Sequence, residues 1–306
     1  MLIYFLRRVL QTIPTLLGVI AIIFFFVRAL PGDPARLYTG QEASAQEVAD
    51  VRRRFGLDRS VPEQFYRYVL GLAAGDLGRS FRANREVRFL LQRHFLPTLY
   101  LSLVAITIAA TLGIFLGMYA AVHRNSLADL AITTVSILGI STPSFFLGLL
   151  LMYVFAVGWR VLPVSGSLSL RGMVLPATTL AASSLGTISR FARSSLLETL
   201  GQDYIRTAKA KGLRFIHVVR KHGFRNALIP VITIVGLQFG FLLSGAVIVE
   251  TIFNFPGLGW LLIQSIDARD YPVIQALMLV FAVQFVMINV LVDLLYAFVD
   301  PRVRYG

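Results

Sequence analysis

The side chains able to do chemistry are few and poorly placed for it. Four histidines, His94, His123, His217 and His222, all fall outside the long apolar runs, so Ser/His catalysis within a membrane has no base. No His/Glu cluster has zinc-site spacing. The lack of cysteine removes disulfides, thiolate metal sites and cysteine nucleophiles. No Gly-Lys dipeptide occurs, so no Walker A loop can cradle ATP phosphates. Charges inside membrane spans mark function by default. Here Arg28, Arg190, Glu250 and Asp293 all sit toward the ends of apolar runs, where snorkelling is cheap. The chain reads as non-catalytic, with no cofactor or metal of its own. If it moves a solute uphill, the energy comes from another subunit.

A basic connection, residues 193–227, carries the strongest signal. It holds Arg193, Arg206, Lys209, Lys211, Arg214, Arg220, Lys221 and Arg225 against Glu198 and Asp203, and includes every lysine of the protein. Gln202–Ala210 favours helix, Gly212 ends it, and Phe215–His222 can start another, which makes a compact knob. Tyr204, Ile205, Ala208, Leu213, Phe215 and Ile216 are too many apolar side chains for a purely solvated loop. One reading lays the basic residues on anionic lipid headgroups. The other inserts the knob into a groove on a cytosolic partner. Gly212 would then permit the sharp turn, with Arg206, Lys209, Lys211 and Arg214 orienting the docking. Leu213 and Phe215 would be the packed anchor.

The elements that must position this knob follow from composition. Of 306 residues, 56% are hydrophobic and 15% charged, where a globular chain is about 25% charged. Mean hydropathy is +0.72. Soluble and disordered classes are excluded, leaving an all-α polytopic membrane protein. The net charge of +13 suits the positive-inside bias better than a nucleic-acid surface, which needs a basic face on a soluble domain. The N-terminus has two arginines and then an apolar run too long for a signal-peptide core, with no small-x-small cleavage site, so it reads as a retained helix.

Spanning helices need about 20 mostly apolar residues. Val9–Leu30, Thr98–Val122, Leu130–Val157, Gly172–Ala192, Leu228–Val249 and Pro272–Val299 qualify. The division is therefore 1–30, first helix; 31–97, an external helical domain; 98–299, a five-helix core with the 193–227 loop; and 300–306, a tail. In 31–97, Ser44-Ala45-Gln46-Glu47 is a capping-box pattern. Glu47–Phe55, Pro62–Leu72 and Glu86–Phe95 read as short helices, with Phe55, Leu57, Phe65, Tyr66, Tyr68 and Leu72 to pack. Arg7, Arg8, Arg124, the loop cations, Arg302 and Arg304 fall on one side; Arg160, Arg171 and Arg269 fall in the opposite short loops. Both termini are thus expected in the cytoplasm.

Lesser features have mostly structural readings. Gly113/Gly117 and Gly236/Gly240 suit close helix packing, and Pro143 and Pro176 suit kinks or helix starts. Gln238, Ser244, Gln284 and Asn289 suit hydrogen bonds between helices. The external loop Glu250–Tyr271, with Pro256, Gly257, Asp267 and Asp270, reads as an outer gate or docking face.

Ala208, Gly212 and Asn226-Ala227-Leu228-Ile229-Pro230 resemble the cytoplasmic loop of bacterial ABC importer permeases, dipeptide/oligopeptide/nickel family. The resemblance runs through the chain: Leu30-Pro31-Gly32-Asp33-Pro34, Gly75-Asp76-Leu77-Gly78-Arg79-Ser80, Ser141-Thr142-Pro143-Ser144-Phe145 and Leu175-Pro176-Ala177-Thr178. Glu250-Thr251-Ile252-Phe253, Pro256-Gly257-Leu258-Gly259, Arg269-Asp270-Tyr271-Pro272 and Asp300-Pro301-Arg302 complete it. Length and wording are most similar to the glutathione and dipeptide branch. The general pattern opens the loop with Glu-Ala-Ala. Arg206, Thr207 and Ala208 stand there, so no role passes from that glutamate to Arg206. The resemblance implies a type I importer permease in the bacterial inner membrane, paired with a second homologous permease. It implies two cytosolic ABC ATPase subunits that hold ATP and Mg, and an extracytoplasmic substrate-binding protein. A secondary transporter or channel would show midplane charges and an inverted repeat, and neither is present. A membrane scaffold that merely recruits a partner stays open.

Overall fold

The computed structural model describes the backbone of residues 2–29, 32–40 and 42–299, and their side chains except at 2–13, 245 and 293–299. Arg7, Arg8, Asp293 and the expected tail with Arg302 and Arg304 therefore lie outside the described side chains. In chain order the helices are α1 (Leu2–Ala29), α2 (Pro34–Thr39), α3 (Ala45–Arg54), α4 (Val61–Ala73), α5 (Val87–Val122), α6 (Leu127–Ser141) and α7 (Ser144–Leu151). They continue with α8 (Leu170–Leu200), α9 (Asp203–Ala210), α10 (Phe215–Val218), α11 (Arg225–Gly245), α12 (Val247–Ile252), α13 (Leu258–Asp267) and α14 (Tyr271–Val299). Two π-helical segments, Met152–Gly158 and Val219–Phe224, extend α7 and α10. Among the described residues the only β pairing is an isolated bridge between Arg79 and Glu86.

The fold is all-α, as expected. Three helical stretches, Val87–Val122, Phe215–Ser244 and Tyr271–Val292, are long and apolar enough to cross a membrane. The expected third span is not one rod. It breaks at Thr142-Pro143, and α6 meets the second half at 105°. Pro143 has no N–H to donate and pushes the residue before it out of the helical region. Thr142 is accordingly extended, at φ −79 and ψ 122. A second correction concerns Glu86–Phe95, read above as a separate helix. It is the first part of α5, which runs on through Pro97. The fourth expected span also continues past Ala192, so that α8 reaches Leu200.

The chain divides into two compact units. The first comprises residues 1–98 and 256–286. Its α3 starts with the expected capping box: the Ser44 N–H donates to Glu47 Oε2 at 2.8 Å, and the Glu47 N–H donates to Ser44 Oγ at 3.3 Å. Aromatic side chains build its packing. Phe24 of α1 is fully buried, with its ring centroid 5.0 Å from Phe65 and 5.7 Å from Tyr68. Phe55 stacks on Phe81 at 3.9 Å. Tyr66, expected to pack, points outward and is 65% exposed.

The second unit, residues 99–255 and 287–306, is organised around α8, which packs on α6, α11 and α7. The middle of α8 is rich in Ser, Thr, Ala and Gly, and many of those side chains are buried. Small residues let its neighbours approach backbone to backbone. A Cβ at Gly117 of α5 would overlap the Ser189 carbonyl oxygen, and one at Gly186 of α8 would overlap that of Ser136. At Gly113 it would lie 3.0 Å from the Leu185 oxygen. Gln238 Nε2 donates to Ser184 Oγ at 3.2 Å, which ties α11 to α8.

Candidate functional site

The basic loop is an ordered hinge between α8 and α11. After α8 ends at Leu200, α9 begins at Asp203 and closes at Ala210. Gly212 then takes φ +80. That left-handed conformation costs other residues about 1–2 kcal/mol and costs glycine little. No atom lies within 4 Å of where a Cβ would stand at Gly212, so backbone conformation alone is what glycine serves here. Arg214, extended at φ −59 and ψ 137, leads into α10 and the π-helical segment.

A small core roots the knob on the end of α8. Ile205, Ala208 and Val218 are buried together, with Leu200 against them. Ile205 and Ala208, counted above among the apolar side chains of the knob, therefore face inward. A Cβ at Gly223 would come 3.2 Å from Leu196 Cδ1, so the π-helical segment lies close on α8. Ser195 Oγ donates to the Ala227 carbonyl at 2.9 Å and joins α8 directly to α11. Asn226 Nδ2 reaches both Tyr204 Oη at 3.1 Å and the His222 carbonyl at 2.9 Å. These contacts tie α9 and the loop to two long helices.

The outward side is basic and apolar at once. Arg206, Thr207, Lys209, Lys211 and Arg214 are exposed. Among the described residues the only neighbouring counter-charge that an ion pair supplies is Asp203, 3.7 Å from Arg206 and exposed. Leu213, Phe215 and Ile216 are 39%, 46% and 54% exposed. Lys209 Nζ lies 5.3 Å from the Phe215 ring centroid. Exposed large apolar side chains among cations suit insertion into a partner groove with acidic walls.

One ion pair beside the loop escaped the sequence reading. Arg193 on α8 donates to both carboxylate oxygens of Asp129 on α6, Nε at 2.6 Å and NH2 at 2.8 Å. The Asp129 side chain is 6% exposed and that of Arg193 29%. Asp129 also accepts the Asn125 N–H at 2.9 Å, and Ser126 Oγ caps the helix by accepting the Asp129 N–H at 3.2 Å. The fork-to-fork geometry locks the start of α6 to the hinge end of α8. The signal was present: Ser126-x-x-Asp129 ahead of an apolar run is the pattern that located Ser44.

Within the Glu250–Tyr271 segment, expected as an outer gate or docking face, several side chains are buried. Glu250 is fully buried on α12 and does not snorkel. In the same unit, the Gly166 N–H donates to the Phe253 carbonyl, and Phe253 and Phe255 are both buried. Gly257 is buried as the N-cap of α13, whose Leu258 N–H donates to Thr98 Oγ1 at 2.8 Å. Asp270, 3% exposed, accepts hydrogen bonds from Ser80 Oγ, the Phe81 N–H at 2.9 Å and the Arg82 N–H at 3.2 Å. Its charge is consumed inside the protein, because an ionised carboxylate needs such donors to be buried. Of the expected docking residues, Pro256 and Asp267 remain exposed.

The family model described as the binding-protein-dependent transport system inner membrane component matches residues 113–305. The chain belongs to that family. A companion model for the N-terminal part of such membrane components matches residues 1–103. This permease is 49% identical over 305 residues to the glutathione transport system permease protein GsiC of Salmonella paratyphi A, with both chains covered completely. It is 47% identical to the GsiC of Pectobacterium atrosepticum at the same coverage. Its fold is similar to that of an amino acid ABC transporter chain solved with histidines, at TM-score 0.56 and 19% identity over 67% of this chain and 92% of that one. A chain of the inward-facing MetNI methionine ABC transporter gives TM-score 0.59 and 19% identity, over 70% and 97% of the two chains. The permease is a multi-pass protein of the inner membrane.

Proposed function

We propose that this chain is the permease subunit of an ATP-driven importer for short peptides of the glutathione and dipeptide class. The observation that carries the reading is the hinge: an apolar and basic knob, rooted on α8 and bonded to α11, with no ATP-binding loop in the same chain. The full-length similarity to glutathione permeases supports the substrate class. In this reading six spans place both termini and the hinge in the cytoplasm, with 31–97 outside. A second homologous permease completes the pathway. Two cytosolic ATPases, which hold ATP and Mg, receive the knob, and an extracytoplasmic binding protein delivers the peptide.

The mechanism is rigid transmission. Closure of the ATPases displaces α9, and the bonds at Ser195 and Asn226, with the close approach at Gly223, carry that displacement into α8 and α11. The bent α6–α7 pair, clamped to α8 through Asp129–Arg193, moves with it. Alternating access follows from two packed arrangements, since tightly packed helices switch rather than deform continuously. Proteoliposomes containing the permease pair, ATPases and binding protein test this directly. Vanadate-sensitive uptake of a labelled dipeptide or glutathione is expected. ATP-independent uptake by this chain alone would overturn the reading in favour of a secondary transporter or channel.

A further inference from the structure

A cavity of about 480 Å³ lies within the first unit, between α1, the α3–α4 segment, the turn around Arg79 and the start of α14. Six arginines line it: Arg28, Arg53, Arg54, Arg59, Arg67 and Arg79. Asp76 is the one carboxylate among its lining residues, and it accepts the Gly78 N–H at 2.8 Å. Arg53 pairs with Asp50, while Arg59 and Arg67 share Glu63 at 2.6 and 3.1 Å. The hydrogen bond from Arg59, with help from Arg67, holds the Glu63 carboxyl below the usual range, so those pairs stay charged.

Three cations are left over. Arg28 donates through Nε and NH2 to Gln64 Oε1 at 3.0 and 2.9 Å. Arg54 donates through NH2 to Asn84 Oδ1 at 3.0 Å. Arg79 donates through Nε and NH2 to the Asn84 carbonyl at 2.9 and 2.7 Å. Among the described residues none of the three pairs with a carboxylate. Neutral oxygens orient the guanidinium planes, Arg28 also lies 3.4 Å over the Phe24 ring and donates to the Phe24 carbonyl at 3.3 Å, and each guanidinium has five N–H donors to share. Like charges gathered around one space repel, and an anion placed there would relieve that repulsion, although Arg54 and Arg79 are exposed and partly screened by solvent.

Two uncharged groups point the same way. Gln275 is 4% exposed and lines the cavity, and its Nε2 is shut off from solvent with no acceptor. Tyr68 Oη is likewise buried without a partner. Burial pushes its pKa up to about 12, so it remains a donor. A buried amide nitrogen without an acceptor is costly, and turning it toward the adjoining cavity would relieve that cost.

We propose that this cavity binds an oxyanion, a carboxylate or phosphate group, presented either by a small solute or by a lipid headgroup. Guanidinium groups around one space match that chemistry, and a cationic ligand would be repelled by them. The inference stands on the cavity alone and does not depend on the transport reading.

The test uses the full chain in nanodiscs of phosphatidylcholine, with glutarate and inorganic phosphate titrated by calorimetry. A parallel arm asks by native mass spectrometry whether phosphatidylglycerol stays bound through detergent exchange. The expected result is saturable binding in one arm, weakened at least tenfold by Arg54→Gln with Arg79→Gln and several-fold by Gln275→Leu. Arg85→Gln, outside the cavity, should change nothing. Solute binding in the neutral bilayer identifies a soluble ligand, and lipid retention without solute binding identifies a headgroup. Absence of both in the wild-type chain overturns the proposal. So does unaltered affinity in Gln275→Leu together with the double arginine variant. Thermal melting separates lost binding from lost folding.

Discussion

Arg193→Gln should separate what holds the hinge in place from what merely lies near it. The substitution removes both charge-assisted bonds to Asp129 and strands a carboxylate that is 6% exposed. Breaking a fully buried pair by deleting one partner costs about 3–5 kcal/mol. Arg193 keeps 29% of its side chain in solvent, and Asp129 retains the Asn125 N–H, so about 2–3 kcal/mol is expected here. Asp129→Asn should cost less, about 1–2 kcal/mol, because the freed guanidinium can turn to water and the amide oxygen can still accept from Asn125. The double variant should cost less than the sum of the two by about 1 kcal/mol or more. Denaturant unfolding of the purified chain in detergent measures all four corners of the cycle. In the assembled transporter the same variants should hydrolyse ATP with reduced uptake per ATP, since the α6 end no longer follows α8. Singles that add to the double within about 0.3 kcal/mol, with unchanged uptake per ATP, would refute the clamp.

Gly212→Val forces a β-branched residue into φ +80, a strain of about 1–2 kcal/mol confined to the turn; uptake should fall sharply while melting of the whole chain shifts by only a few degrees. Leu213→Ala with Phe215→Ala should leave stability within about 0.5 kcal/mol, since surface substitutions rarely do more, yet abolish co-purification with the ATPases. Gly117→Ala should destabilise by about 1–3 kcal/mol, because its methyl would collide with the Ser189 carbonyl; detergent-phase melting reads the loss. Asp270→Asn removes the charge from a buried acceptor of three hydrogen bonds and should cost about 2–3 kcal/mol, seen as faster proteolysis around Ser80–Arg82.

Local chemistry sufficed for much of this protein. Ser44 and Glu47 lie three residues apart, so their capping box could be read directly, and the same holds for the stop at Gly212 and the break at Pro143. Each depends on one residue's own backbone preferences or on a neighbour within a turn. Sign and position of the loop cations, and the missing phosphate-binding loop, were equally visible without a fold. Burial was not. Asp270 looks like a surface acid until the Ser80–Arg82 backbone, 190 residues away for Ser80, wraps its carboxylate. Glu250 resembles a snorkelling end residue until the second unit closes over it. Arg193 counts as one more loop cation until Asp129, 64 residues earlier, meets it. Ile205 and Phe215 are both apolar, yet one roots the knob and the other faces out. Hydropathy measures a side chain's cost in water, whereas the protein decides which side chains meet water through contacts between distant segments. Tertiary packing alone therefore set the central place of the Ser- and Thr-rich α8. It also gathered around one cavity three arginines that have no carboxylate partner among the described residues.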